Sequence, residues 1–318
     1  MELRKDYLLD RWAIISSGRG ARPREFKPEE SAQSEKICFF CPGNEHLTPP
    51  EIYRLEKANS WQVRVFPNKF PATELAGTPE IRTDNDFFTF SNPYGMHEIV
   101  VETPQHGQHL HDLAKEQILE VVKVYNLRMK ELQKNPSAKY VVLFKNHGKE
   151  GGASLVHTHT QILSMNLVPS IIRQESDAAE SFQKEKGHCP YCRIVDIEKG
   201  SYRKCIETKY FAAFTPYASR YNYELWLFPK RHLTSMQDLN YVELQDFADI
   251  FQKVLAKLKE LGHPYNFYLH NAPPGRNLHF HLEFTPRIAR LAGFEIGTEA
   301  YINTVPPEEA AKFFRGEI

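Results

Sequence analysis

Two cysteine pairs, Cys38-Phe-Phe-Cys41 and Cys189-Pro-Tyr-Cys192, and two histidine runs, His157-Thr-His159 and His279-Phe-His281, could carry chemistry in this chain. A Cys-x-x-Cys on a tight turn offers two thiolates to one cation, and imidazoles can complete the tetrahedron that zinc takes. The expected completion in the first half is His106 with one histidine of the 157/159 pair. In the second it is His232 with one of the 279/281 pair. Alternate side chains of an extended strand share a face, so both imidazoles of a His-x-His point the same way. One can then hold metal while the other serves a cleft. Four protein ligands leave no open coordination position, which makes these metals structural. Two metals per chain are expected; thiolates favour zinc, and a Cys2His2 set also admits iron at one site. A redox pair would want a βαβ setting that the pattern lacks. Cys205 has no partner in the pattern and reads as core.

The two histidine runs differ in their surroundings. The first reads Gly151-Gly-Ala-Ser154-Leu-Val-His157-Thr-His159-Thr-Gln161, and the second Gly275-Arg-Asn-Leu-His279-Phe-His281-Leu-Glu283. A glycine pair and a serine ahead of two histidines suit close approach of backbone N–H and hydroxyl to a phosphate. His159 would lie in line with that phosphorus. A neutral imidazole is a good nucleophile near neutral pH, and the phosphoramidate it forms is readily cleaved again. Gln161, on the same strand face, can bond a non-bridging oxygen as charge builds there. His281 and Glu283 could be extra metal ligands in the second half, behind a four-ligand set.

These residues belong to a pattern written twice. His97-Glu-Ile-Val-Val-Glu-Thr-Pro-Gln-His106 matches Tyr223-Glu-Leu-Trp-Leu-Phe-Pro-Lys-Arg-His232, with Glu98 and Glu224 at the same distance from their histidines. Asp112-Leu113 and Asp238-Leu239 follow at the same offset. Each introduces apolar residues at three- and four-residue steps, Ile118 to Leu132 and Leu244 to Leu261, the signature of an amphipathic helix. Each helix should end at a turn and lead into a strand, Tyr140–Phe144 or Tyr265–Leu269, followed by Asn146 or Asn271 and a glycine-bearing loop. The reading is a duplicated α+β unit with mainly antiparallel strands and flanking helices, joined across the polar stretch near 165–188.

Composition bounds the function. Of 318 residues 41% are hydrophobic, and 40 basic residues balance 40 acidic ones, so no bulk polycation is present to hold nucleic acid. A zinc-stabilised nucleic-acid module is disfavoured by that balance and by the long Cys-to-His separations. No apolar run approaches the roughly 18 residues of a membrane span, and no signal-like leader opens the sequence. The expected address is the cytoplasm, where thiols serve metal or chemistry.

The separated motifs together resemble the galactose-1-phosphate uridylyltransferase family of the histidine-triad superfamily. Tyr7 to Ser16 and Ser17-Gly-Arg19-Gly-Ala-Arg22-Pro are similar to its N-terminal arginine segment. Cys41-Pro-Gly-Asn-Glu-His-Leu-Thr-Pro-Pro50, Phe66-Pro-Asn68-Lys-Phe70, Phe144-Lys-Asn146 and Gly293-Phe-Glu-Ile-Gly-Thr298 resemble further family motifs in the same order. The resemblance implies histidine-triad-like halves at 1–168 and 169–318, the first catalytic. It implies nucleotidyl transfer from a nucleoside diphosphate sugar, UDP-glucose, to galactose-1-phosphate through nucleotidyl-His159, with Gln161 steadying the phosphoryl group. The metals would be held by Cys38, Cys41, His106 and His157, and by Cys189, Cys192, His232 and His279. Arg19, Arg22, Asn68, Phe70, Asn146, Gly152, Ser154, Phe294 and Glu295 would contact substrate: the arginines phosphate, Asn68 and Phe70 base or ribose, Glu295 hexose hydroxyls. A homodimer is implied, with no nucleic acid or membrane partner. Leu155-Val156 and the His-Thr-His spelling, with Gly293-Phe-Glu-Ile-Gly-Thr298, also resemble a branch acting as an ADP-glucose phosphorylase or adenylyltransferase, whose donor carries adenosine in place of uridine.

Overall fold

The computed structural model describes residues 2–5, 12–15, 37–57, 60–289, 292–298 and 301–318. Within these the strands are β1 (Glu2–Lys5), β2 (Trp12–Ile15), β3 (Tyr53–Lys57), β4 (Ser60–Pro67), β5 (Arg82–Asp84), β6 (Phe88–Ser91), β7 (His97–Val101), β8 (Tyr140–His147), β9 (His159–Met165), β10 (Lys204–Glu207), β11 (Phe211–Phe214), β12 (Leu225–Pro229), β13 (Tyr265–His270) and β14 (His281–Pro286). The helices are α1 (Lys115–Gln133), α2 (Ser170–Lys186), α3 (Pro190–Glu198), α4 (Tyr241–Leu261), α5 (Gly293–Thr298) and α6 (Pro307–Arg315).

Ten strands form one antiparallel sheet in the order β3-β4-β7-β9-β8-β13-β14-β12-β11-β10, and β2-β1-β6-β5 form a small second sheet. The large sheet reads the same from both ends, so the repeat in sequence is a repeat in space. The fold is α+β, built from two similar units with mainly antiparallel strands and flanking helices. Its two halves join edge to edge where β8 pairs with β13, Asn146 opposite Asn266 and His147 opposite Tyr265. The amphipathic segments become α1 and α4, which pack together on one face of the sheet. Ile118, Val121, Val122 and Met129 of α1 and Phe247, Phe251, Val254 and Leu255 of α4 fill one core that runs under both halves. Asn240 and Glu243 close a capping box that fixes the start of α4.

Three local features are not readable from the spacing. All five residues of β7 are buried, because Val100 packs in the core with α1 while Ile99 and Val101 pack with Phe40, Trp61 and Phe66 on the other face. The polar stretch after residue 168 is α2, whose Ile172, Ser176 and Ala179 are buried while its charges face outward. The register of the repeat also slips. Ile99 pairs with Gln161 in the first half, and Trp226 pairs with Glu283 in the second. His97 therefore matches Glu224, and Glu98 matches Leu225; a one-residue slip changes the face a side chain occupies. Likewise Asn146 lies within β8, and its counterpart opposite the second histidine run is His270 rather than Asn271.

Candidate active site and metal centres

The turn that carries Cys38 and Cys41 faces His106 and His157. Sγ of Cys38 lies 3.5 Å from Nδ1 of His157, and Sγ of Cys41 lies 3.5 Å from Nδ1 of His106. A tetrahedral cation with legs of about 2.0–2.3 Å needs ligand atoms about 3.3–3.8 Å apart, so this spacing fits. His157 donates its Nε2 hydrogen to the carbonyl of Thr103 at 2.8 Å, which turns the Nδ1 lone pair toward the thiols. Burial lowers the pKa of His157 and favours that neutral form.

The second set repeats this geometry. Sγ of Cys192 is 3.4 Å from Nδ1 of His232 and 3.5 Å from Nδ1 of His279, and His232 donates Nε2–H to Asn277 at 2.6 Å. A hydrogen bond from Cys192 holds the Cys189 thiol far below its ordinary range. A third group, Glu175, His270, His281 and Glu283, has its ligand atoms within 4.8 Å of one another. Arg220 also reaches Glu283, at 2.5 Å. Burial opposes the charged form of Glu283, but the His281 hydrogen bond and the charges of His270 and Arg220 hold its pKa low. Cys205 is buried in the core of β10.

The other histidine of the first run has a different task in the geometry. His159 donates Nδ1–H to the carbonyl of His157 at 2.8 Å, so Nε2 carries the lone pair. It lines an open cavity with aromatic walls from Phe39, Phe40, Phe66 and Phe70 and polar groups from Asn68, Ser154 and Gln161. The Phe40 ring stands edge-on to the His159 ring at 5.3 Å between centroids. Asn68 accepts the backbone N–H of Phe70 at 2.9 Å, which fixes the turn presenting both residues. Gly152 has φ +82°, a left-handed conformation that costs glycine little.

His97 sets the Gln161 amide. Its Nδ1 accepts the backbone N–H of Ala72 at 3.1 Å, so the hydrogen sits on Nε2 and is donated to Oε1 of Gln161 at 2.9 Å. The Gln161 oxygen is thereby engaged and its NH2 is the group left to donate. Below the strand, Lys145 bonds Glu102 at 2.6 Å, Oγ1 of Thr158 at 2.9 Å and the carbonyl of His159 at 2.9 Å. Tyr125 donates to the same carboxylate at 2.5 Å, and Thr160 joins it. Burial pushes the pKa of Glu102 up, yet the Lys145 charge and these hydrogen bonds bring it below the ordinary 4.5.

Of the expected substrate residues, Asn68, Phe70, Ser154, His159 and Gln161 line this one cavity. Asn146 lines an adjoining cavity that also touches His159. Phe294 and Glu295 lie on α5, and the Glu295 carboxylate accepts the backbone N–H of Ala292 at 3.0 Å. Arg19 and Arg22 lie outside the described residues. Sequence reasoning missed His97, Glu102, Lys145, Glu175 and His270 as parts of these sites. Charged residues inside otherwise apolar strands were the available signal for Glu102 and Lys145.

The duplicated sheet thus sets one histidine against an aromatic cavity, and each half carries one Cys2His2 group. Residues 1–169 match the family model for the galactose-1-phosphate uridyl transferase N-terminal domain, and 113–314 match that of a domain of unknown function. The chain is 32% identical to an ADP-glucose phosphorylase of Arabidopsis thaliana, over 99% of this chain and 92% of that one. It is also 32% identical to a galactose-1-phosphate uridylyltransferase of Thermotoga maritima, over 99% and 98%. A solved uridylyltransferase superposes with TM-score 0.82 at 29% identity, covering 99% and 98% of the two chains. The Arabidopsis thaliana ADP-glucose phosphorylase with bound ADP-glucose gives 0.79 at 30%, covering 99% and 98%. The chain belongs to the galactose-1-phosphate uridyl transferase family. Among the described residues no helix is long and apolar enough to cross a membrane.

Proposed function

We propose that this protein transfers UMP from UDP-glucose to galactose-1-phosphate by a ping-pong route through nucleotidyl-His159. The observation that carries this is the His159 imidazole, anchored through Nδ1 and facing a cavity that also holds Ser154 and the Gln161 amide. Nε2 attacks the α-phosphorus of the donor; the N–P bond forms as the bond to the β-phosphate oxygen breaks, releasing glucose-1-phosphate. The acceptor phosphate then attacks the same phosphorus, and the N–P bond breaks. Gln161 donates to the charge that builds on the phosphoryl oxygens, and being an amide it does not relay a proton for water. The aromatic walls would take the base, and Asn146, Gly152 and Ser154 the phosphates.

Cys38, Cys41, His106 and His157 fit one zinc ion and Cys189, Cys192, His232 and His279 a second. Each would tie a strand end to a distant turn and supply no open coordination position. Thiolate ligand sets suit a reducing cytoplasm, and the working assembly proposed is a homodimer.

A second reading, adenylyl transfer with phosphate as acceptor, draws on the similarity to the Arabidopsis thaliana ADP-glucose phosphorylase. Incubation with UDP-glucose or ADP-glucose, then with galactose-1-phosphate, phosphate or water, tests both by which pair yields product. Absence of any nucleotide-dependent adduct on His159 in quenched enzyme would overturn the covalent route.

A further inference from the structure

The glycine loop ahead of the first histidine run rests against the other half of the molecule. Asn266 stands on β13, directly opposite Asn146 on β8. Its Nδ2 lies 2.6 Å from the carbonyl of Gly151 and 2.9 Å from Oδ1 of Asn146. The Gly151 carbonyl can only accept, so the Asn266 atom facing it must be the NH2 group. The Asn146 atom bonded to that NH2 must then be its oxygen. The Asn146 amide is thus fixed with its own NH2 turned away from the seam, and a Cβ built on Gly152 would lie 3.9 Å from that nitrogen.

Packing binds the same loop to the same strand. A Cβ on Gly151 would come within 2.3 Å of the His147 carbonyl and 3.0 Å of the Tyr265 carbonyl. One on Gly148 would meet Pro264 at 2.8 Å. The loop therefore leans on the start of β13 with no space to spare.

We infer that Asn266, contributed by the second half, is a positioning residue for the first half's site: it pins the glycine loop and orients the Asn146 amide as a donor toward a substrate phosphate. This rests on the nucleotidyl transfer proposed above. Asn266 acts through Asn146 and Gly151, without touching the reacting atoms.

The discriminating substitution is Asn266→Asp, which keeps size but sets an acceptor against two acceptors. Asn146 must then turn its NH2 toward the carboxylate and present oxygen to the phosphate. Single-turnover formation of the His159 adduct from UDP-glucose and ADP-glucose should slow about 100-fold, the low end for one lost donor in such a site. In an Asn146→Ala background the same change should slow it by less than about 3-fold, because the group it orients is gone. Asn266→Ala serves as a second variant if the aspartate destabilises the fold. Hydrogen exchange at the Gly152 and Ala153 amides, read on the same proteins, should quicken in both Asn266 variants. Additive losses in the double variant, or a wild-type rate in Asn266→Asp, overturn the inference. Should wild-type enzyme form no adduct, the nucleotidyl reading fails by itself. Asn266 is then judged by exchange, and unchanged exchange in the loop overturns its role.

Discussion

Under the first histidine run lies a buried polar network, and under the second, at the same register, lies hydrocarbon. Glu98 pairs with Arg128 of α1, and Glu102 gathers Lys145, Tyr125, Thr158 and Thr160. Their counterparts by strand register are Leu225 and Pro229 on β12, Leu269 on β13, and Phe280 and Leu282 at the second run. A buried ion pair is a poor source of net stability compared with packed hydrocarbon of similar volume. Lys145, however, holds the His159 carbonyl and the Thr158 hydroxyl in place. The contrast assigns the two halves different physical tasks: geometry in the first, cohesion in the second. Above the sheet the same division holds. Gln161 offers a neutral amide where Glu283 offers a carboxylate, so the first position suits a phosphate and the second a cation.

The largest effect should come from His159→Ala, with transfer falling about 10⁴-fold or more while nucleotide-sugar affinity stays near normal. Mass spectrometry of quenched enzyme should show one nucleoside monophosphate added to wild type and none to this variant. An adduct surviving on His281 would erase the distinction between the halves.

Gln161→Glu writes the second half's residue into the first. Turnover should fall at least as far as in Gln161→Ala, about 10- to 1000-fold, because a carboxylate opposes the charge building on the phosphoryl oxygens. The reverse change, Glu283→Gln, should create no second adduct site in the same mass analysis.

Metal content should respond similarly in both halves. Elemental analysis should find two zinc ions per chain, and Cys38→Ser or Cys189→Ser should each lose one and lower the melting temperature. Specificity among nucleotide sugars should move little in Cys189→Ser.

The network itself is tested by Lys145→Met, which leaves Glu102 buried without its cation and should cost about 3–5 kcal/mol of stability in denaturant melts. Adding Glu102→Gln should restore much of that stability but not the turnover. The pH dependence follows the sign of the shift. Glu102 has a folded pKa below its ordinary 4.5, so its contribution is complete above that value and is lost as pH falls through the lower folded value. Acid melts should show this loss in wild type and not in the double variant.

The grouping of cysteines and histidines was legible because so few side chains bind a tetrahedral metal and their types survive in plain text. The duplicated order was legible from spacing, and with it the antiparallel sheet. Faces were not. Counting back from His106 and His232 aligns Glu98 with Glu224, but the connection from strand to histidine is one residue longer in the first half, so the two glutamates face opposite sides of the sheet. The helix α2 was hidden because its buried stripe is short and partly polar, Ile172, Ser176 and Ala179 among many charges. His97 and Asn266 act by orienting another residue's amide, and a distance between side chains leaves no trace in spacing.

The seam between β8 and β13 also orders events as the chain is made. Synthesis proceeds at about 5–20 residues per second and N-terminal units tend to fold first. Both cysteines of the first pair, His159 and the glycine loop leave the ribosome before the strand against which that loop is packed. A nascent chain ending near residue 200 contains every group proposed to react, yet lacks Pro264, Tyr265 and Asn266. Its β8 presents an open edge until the last third of the sequence arrives, which is a template for wrong pairing. That edge is therefore covered late, by strand addition, and translation pauses between residues 170 and 260 lengthen the interval during which it is bare.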